Sequence, residues 1–307
     1  MEELEEVQKA PDVAGAGRLP VSVIIPVRNE AKNLPRCLQA LKDAGEVYVI
    51  DSQSTDETVE IARSYSAKVV QFHYPGGWPK KRQWAMNTLP FAWDWILLLD
   101  ADEVLSPELA EEIRQAIADA TTRNTSYDGY FIQLRTQFLG RVLGHGDVSL
   151  WKLSLFRRGK GRYECRLKDQ DASMADMEVH EHVVVDGATA RLRHPLIHHN
   201  IESLSRYIRK HDEYSNWESR VLVQHGDDAE LPPSPWGTQA QRRRWLKRKL
   251  FALPGSPVLL FLYRYIFRLG FLDGMPGLIY CGFQAVQMFH TKSKIYALKL
   301  ERKNIQQ

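Results

Sequence analysis

"ILLLDADEVL" (96–105) runs from four aliphatic residues straight into three carboxylates. An aliphatic run this short reads as a β-strand covered on both faces. Asp100, Asp102 and Glu103 at its end repel one another, so a positive group is expected beside them. In an open parallel α/β sheet, ligands bind in the crevice beyond the carboxyl ends of the strands. The stretch therefore names a fold class and the edge of the sheet where chemistry is expected.

Upstream, "VSVIIPV" (21–27), "EVYVID" (46–51) and "AKVVQF" (67–72) read as three further strands, with "WILLLD" (95–100) as the fourth. Leu34, Cys37, Leu38 and Leu41 recur at helical spacing between the first two. Ser54 and Glu57 form a capping-box pattern opening the helix "TDETVEIARSYS". Ser106-Pro107 opens another, with Pro at the first helical position. Strand and helix in alternation predict a mostly parallel α/β sheet flanked by helices. After Asp128, "YDGYFIQL", "LWKLSLFRR", "MEVHEHVVV" and "TARLRHPLIHH" read as shorter strands, mixed or antiparallel. "SLSRYIRKHDEYSNW" is an amphipathic helix, ended by the Pro-rich "LPPSPWG" (231–237). A basic helix (239–253) and two apolar, aromatic-rich segments (257–272 and 277–300) follow. This divides the chain into a loose tail (1–19), a catalytic domain (20–230) and a helical appendage (231–307).

The 307 residues, 44% hydrophobic and 26% charged, describe a globular chain. A formal charge of +3 is too small to imply nucleic-acid binding. The acidic start "MEELEEVQKAPDVAGAG" lacks the basic and apolar regions of a signal peptide. Cys37, Cys165 and Cys281 are widely separated, which suggests neither a disulfide framework nor a zinc site and fits a reducing cytosol. No uncharged apolar segment reaches the roughly 18–20 residues needed to cross a bilayer. A P-loop is missing, and "GAGRLP" lacks the third glycine and the preceding strand of a dinucleotide fingerprint.

Asp51 ends the second strand and Asp100 the fourth, so both face the crevice. Asp100 and Asp102 lie two apart, which on an extended backbone puts both on one side of the chain. Such a pair suits a hard divalent cation whose other ligands are water or phosphate. Asp is also a common turn residue, so the spacing alone leaves both readings open.

"VSVIIPVRNEAKNLPRCLQAL", "VYVIDSQSTDETVEIA" and "WILLLDADEVLSPEL", in this order, resemble the start of family 2 glycosyltransferases with the GT-A fold. "KR-x-x-x-x-N", "VHEHV", "HHNIESLSRYIRKHDEYS" and "LYRYIFRLGFLDGMPGLIY" are similar to the bacterial lipopolysaccharide core β-1,4-glucosyltransferase subgroup. The resemblance covers roughly residues 20–300 and implies a Rossmann-like GT-A sheet with a C-terminal helical appendage. It implies that Pro26, Arg28 and Glu30 border the nucleotide and that Asp51 accepts a hydrogen bond from the base, most simply a uracil N–H. It places Asp100 on the ribose or the metal shell, and Asp102 on a Mg²⁺ or Mn²⁺ bridging the diphosphate. Lys81 or Arg82, with Asn87 beyond, would lie near the phosphates or the donor sugar. Glu30 at a helix start and Lys80 to Arg82 as a solvated face are the plainer alternatives.

Sugar transfer with inversion needs a carboxylate that takes the acceptor hydroxyl's proton opposite the leaving nucleotide. Glu181, between His180 and His182 in "EVHEHVVV", is the candidate, with Glu178 and Asp176 as competitors. If the segment is a strand, Glu181 faces one way and both histidines the other. The family at times uses a late histidine as a further metal ligand, which points to His198, with His199 behind it. Trp151 could stack on a sugar or serve the core.

"QAQRRRWLKRKLFAL" combines six cations with aromatic and aliphatic residues, as helices do that lie on anionic membranes. The plain alternative is a helical subdomain with a solvated basic face. The expected activity is a metal-dependent, inverting transfer of a hexose from UDP-glucose or a related nucleotide sugar. The expected acceptor is a lipid-linked glycan such as the lipopolysaccharide inner core, met by a cytoplasmic protein peripherally bound to the inner membrane. The competing classes are a non-catalytic sugar-nucleotide or membrane-binding module, and a glycosidase using Asp102 and Glu181 as its carboxylate pair.

Overall fold

The structure is a computed structural model that describes residues 17–122, 127–166, 178, 181–199, 204–224 and 232–305. Asp176, His180 and most of the proposed tail lie outside these residues. The first half alternates: β1 (Leu19–Val27), α1 (Leu34–Ala40), β2 (Ala44–Asp51), α2 (Thr58–Ser64), β3 (Lys68–Gln71), α3 (Lys81–Thr88), β4 (Trp95–Leu98). There follow β5 (Glu103–Val104), α4 (Pro107–Thr122), β6 (Gly129–Phe138), β7 (Arg141–Val142), β8 (Leu150–Arg157), β9 (Gly161–Tyr163) and β10 (Val183–Val185). β11 (Thr189–Arg191), β12 (Leu196–His199) and the helices α5 (Leu204–Gln224), α6 (Gln239–Ala252), α7 (Ser256–Leu262) and α8 (Gly274–Ile305) complete the chain.

The main sheet runs β3-β2-β1-β4-β8-β6-β12-β5. Its first four strands are parallel, as the alternation requires. β8 then enters antiparallel between β4 and β6, so the sheet is mixed beyond it. Both faces are covered. Val21, Val23, Ile25 and Val27 pack with α1 and α4, while Ile24, Ile50, Ile96 and Leu98 pack with Ala85 of α3. Covering both faces is what makes these strands unbroken aliphatic runs.

Four local expectations are corrected. β1 begins at Leu19, a buried residue, so the tail stops short of it. The capping box at Ser54 does not form; α2 has Glu57 at its N-cap without a side-chain bond, because the Ser54 hydroxyl is bound to Asp51. The D-x-D does not sit on extended backbone: β4 ends at Leu98, and Glu103 N–H closes a turn on the Asp100 carbonyl at 2.9 Å. Glu178, Glu181 and His182 precede β10 rather than belonging to it, so alternation does not set their directions.

The helical C-terminus is joined to the rest of the chain. Ile279, Tyr280 and Phe283 of α8 pack on Phe138 and Leu143 and on Tyr207 of α5. Asp273 accepts hydrogen bonds from the backbone of Gly144 and His145, and Arg264 donates to the Gly146 carbonyl at 3.0 Å. No helix among the described residues is long and apolar enough to cross a membrane.

Candidate active site

The loops after β1 and β2 form one rim. Asn29 N–H donates to the Ser54 hydroxyl at 2.8 Å, and Thr55 N–H to the Asn29 side-chain oxygen at 2.8 Å. Glu30 N–H reaches the Thr58 hydroxyl at 2.8 Å, and Ala31 N–H the Asp56 carboxylate at 3.2 Å. D-x-x-S-x-D-x-T thus stitches two strand ends together, with short polar side chains satisfying loop backbone. Asp51 is fully buried at the end of β2 and accepts from Ser54 and from the Gln71 amide at 2.9 Å. Pro26 is buried in β1 beside Ile50, and Arg28 is exposed on the rim. Glu30 accepts from Arg206 of α5 at 2.7 Å and from Asn33 at 2.8 Å; burial lifts its pKa above the ordinary value.

The carboxylates that open the sequence meet cations supplied by the chain. Asp100 pairs with Arg82 and, at 3.2 Å, with the Lys152 ammonium of β8. Lys152 also reaches Glu103 at 3.0 Å. Burial alone would raise the Asp100 pKa, but Arg82 and Lys152 hold it well below the usual carboxylate range. Glu103 has the opposite outcome: burial raises it, against the pull of Lys152. Asp102 turns the other way, its Oδ2 lying 3.2 Å from His198 Nε2. His198 outweighs burial there, so the Asp102 pKa is lowered and that of His198 is raised. Lys210 of α5 adds its field to both aspartates.

One acceptor is left over. Asp102 Oδ1 is buried without a hydrogen-bond partner among the described residues, which is costly unless something else uses it. No group of three or more His, Cys, Asp or Glu among these residues forms a metal cluster. A lone carboxylate oxygen beside an imidazole nevertheless fits a hard cation that takes its remaining ligands from phosphate and water. The residues present therefore fit Mg²⁺ or Mn²⁺ through Asp102 and His198.

α3 links this side of the site to the other. Arg82 bonds Asp100, while its neighbour Lys80, buried completely, extends to Glu181 Oε2 at 3.5 Å and lies 5.6 Å from the Trp217 ring centre. The two competing glutamates separate on geometry. Glu178 accepts the Arg82 and Gln83 backbone N–H groups at 3.2 and 2.8 Å, capping α3, and faces the Arg82 guanidinium at 3.7 Å. The Glu181 oxygens make no close hydrogen bond among the described residues, though the Lys80 ammonium and the Arg166 backbone N–H lie near them. Burial raises its pKa to about 7, with Lys80 and Arg166 pulling the other way. A carboxyl poised near neutrality can accept a proton. Next to it, His182 is held by Glu164, which Arg244 of α6 binds at 3.0 Å. Those two partners outweigh burial and lower the Glu164 pKa to about 2.

Lys81 does not lie among these groups as a free cation: it is buried and donates to the Val27 carbonyl at 2.9 Å. Asn87 accepts from Gln83 at 2.7 Å, and Arg191 stacks 4.8 Å from the Trp151 ring centre. His199 donates its backbone N–H to the Asp102 carbonyl at 2.8 Å. Lys80, whose plainer reading is a solvated face, is buried in the site, and Lys152, Arg206 and Lys210 are site cations that motif reading missed. For the last two, the i, i+4 spacing on α5 was the available signal.

A mixed α/β sheet whose strand ends gather Asp100, Asp102 and His198, with a separate neutral-range carboxyl beyond, is the frame of a group-transfer enzyme. The glycosyl transferase family 2 model matches residues 22–184, and the chain belongs to that family, with its GT-A fold. It is 28% identical over 286 residues to the lipopolysaccharide core biosynthesis glycosyltransferase LpsC of Rhizobium meliloti (strain 1021), covering 91% of this chain and 93% of that one. An uncharacterized glycosyltransferase of Rickettsia bellii (strain RML369-C) is 30% identical over 213 residues, covering 67% and 68%. Among solved structures, S. aureus TarS 1-349 aligns over 92% of this chain and 91% of its own, with 15% identity and a TM-score of 0.40. Glucosyl-3-phosphoglycerate synthase of Mycobacterium tuberculosis, in complex with Mn²⁺, UDP and glucosyl-3-phosphoglycerate, covers 41% and 46% at 20% identity and a TM-score of 0.28.

Proposed function

We propose that this glycosyltransferase moves a hexose, with inversion, from a nucleotide sugar to a lipid-linked glycan at the cytosolic face of the membrane. UDP-glucose is the simplest donor and the lipopolysaccharide inner core the simplest acceptor. The near full-length relation to a core-biosynthesis transferase supports the acceptor class. The observation that carries the mechanism is Glu181: buried, without a close hydrogen bond among the described residues, and raised to about 7.

Pro26, Arg28 and Glu30 border the nucleotide, and the buried Asp51 holds the rim that receives its base. Asp102 and His198 would hold Mg²⁺ or Mn²⁺, and such an ion would supply positive charge against that of the departing diphosphate. Arg82 and Lys152 keep Asp100 ionised and fixed in position. Glu181 removes the acceptor hydroxyl's proton as its oxygen attacks the anomeric carbon, a step worth about 10²–10⁴ in rate. Lys80, 3.5 Å from Glu181 Oε2, steadies the ionised form of Glu181.

The test is transfer from labelled UDP-hexoses to membrane glycolipid prepared from cells lacking this protein. Metal-dependent labelling of the glycolipid with inversion at the anomeric carbon supports the reading. Retention of configuration, or full activity in excess chelator, defeats it.

A further inference from the structure

Residues 232–300 contain eleven Lys and Arg and a single acidic residue, Asp273. Asp273 is buried and held by Gly144 and His145, so it offers no surface charge. The basic helix α6, which the sequence marks as the membrane face, spends half its cations inward. Arg244 binds Glu164, Lys247 binds Glu218, and Arg243 donates to the Ser149 carbonyl at 2.8 Å. Arg242, Arg248 and Lys249 remain exposed on it.

The apolar exposure lies further on, in α7, the turns that join it to α8 and the start of α8. Val258 is 62% exposed, Ile266 50%, Phe267 77% and Met275 65%, with Leu259 and Leu272 also exposed between them. Exposed aromatic and aliphatic residues concentrated in one short segment mark a contact surface. The segment is anchored to the domain by Arg264 on the Gly146 carbonyl and by Gly146 N–H on the Arg268 carbonyl at 2.8 Å. It is a fixed ridge joined to the loop after β7.

We propose that this ridge, residues 258–275, is the surface by which the protein docks on an anionic phospholipid bilayer, its apolar side chains entering the interface. The proposal rests on the membrane placement in the preceding reading and gives that partner its contact surface. Charge selects the occupant. A second copy of the chain would bring the same basic excess against itself, whereas a bilayer supplies apolar interior and negative headgroups together.

The full chain is sedimented with vesicles of phosphatidylcholine containing about one-third phosphatidylglycerol, and with phosphatidylcholine alone, so no sugar substrate enters the readout. Binding at least about tenfold stronger to the anionic vesicles, and weakened by salt, is expected. The Ile266→Glu/Phe267→Glu variant should lose about tenfold or more, with an unchanged circular dichroism spectrum because both side chains are exposed. Wild-type protein that ignores anionic vesicles, or a double variant that binds as well as wild type, overturns the proposal. So does a wild-type dimer that the double variant dissolves without any vesicle binding, which would assign the ridge to self-association. Loss of docking with transfer to a water-soluble acceptor intact would separate this surface from the catalytic assignment.

Discussion

Replacing Glu181 by Gln removes the proposed base and little else, since the amide keeps the shape of the carboxyl. Transfer should fall by about 10²–10⁴ while UDP-sugar binding persists. The wild-type rate should be half-maximal near pH 7, where burial puts this carboxyl, and should drop about tenfold per unit below that. The same displacement has a consequence for stability that needs no substrate. The carboxyl's ordinary value is 4.5, and its folded value lies above it. Its contribution is therefore fully present below the unfolded pKa and is lost as pH rises through the folded one. Ionising it in the buried site costs the folded state about 3 kcal/mol by about pH 8. Relative to Glu181→Gln, wild-type protein should lose about that much between roughly pH 4 and pH 8 in urea titrations. Parallel stability profiles for the two proteins, or a variant within a few-fold of wild-type transfer, would refute the reasoning.

Three further substitutions test the surroundings. Lys80→Met removes the cation that lowers the Glu181 pKa, so the pH–rate midpoint should move upward; an unmoved midpoint would show that Lys80 does not act on the base. Lys152→Met takes its cation from the buried Glu103, while the part-exposed Asp100 keeps Arg82. It should destabilise by about 3–5 kcal/mol in denaturant titration, and a loss under about 1 kcal/mol would contradict the charge balance described. Glu178→Gln weakens the cap on α3 and the Arg82 contact, costing about 1–2 kcal/mol, and removes a charge that raises the Glu181 pKa, so the pH–rate midpoint should move downward while transfer persists; a loss of transfer as deep as that of Glu181→Gln would make Glu178 the base.

The strands were legible where burial is two-sided, because Val23 and Ile25 must be apolar for one face and Ile24 for the other. Where a residue serves a distant partner, the local pattern misleads. Ser54 spells a capping box, yet Asp51 three residues upstream takes its hydroxyl. "VHEHVVV" alternates like a strand, but among the described residues the pairing starts at Val183 opposite Tyr163, and Glu178 is drawn to backbone donors of α3. Lys152, in a strand sequence, reads as solvent-facing; the insertion of β8 beside β4 turns it onto Asp100 and Glu103. The three carboxylates did signal a positive partner, and most of it comes from side chains that lie far away in sequence. Of the three, Asp102 alone keeps a buried oxygen without a partner among the described residues.

That oxygen is the proposed metal ligand. Crystals soaked with Mn²⁺ and UDP should show an anomalous peak within coordinating distance of Asp102 Oδ1 and His198, joined to the diphosphate. A manganese and nucleotide found at another edge of the sheet, with Asp102 still bonded only to His198, would contradict it.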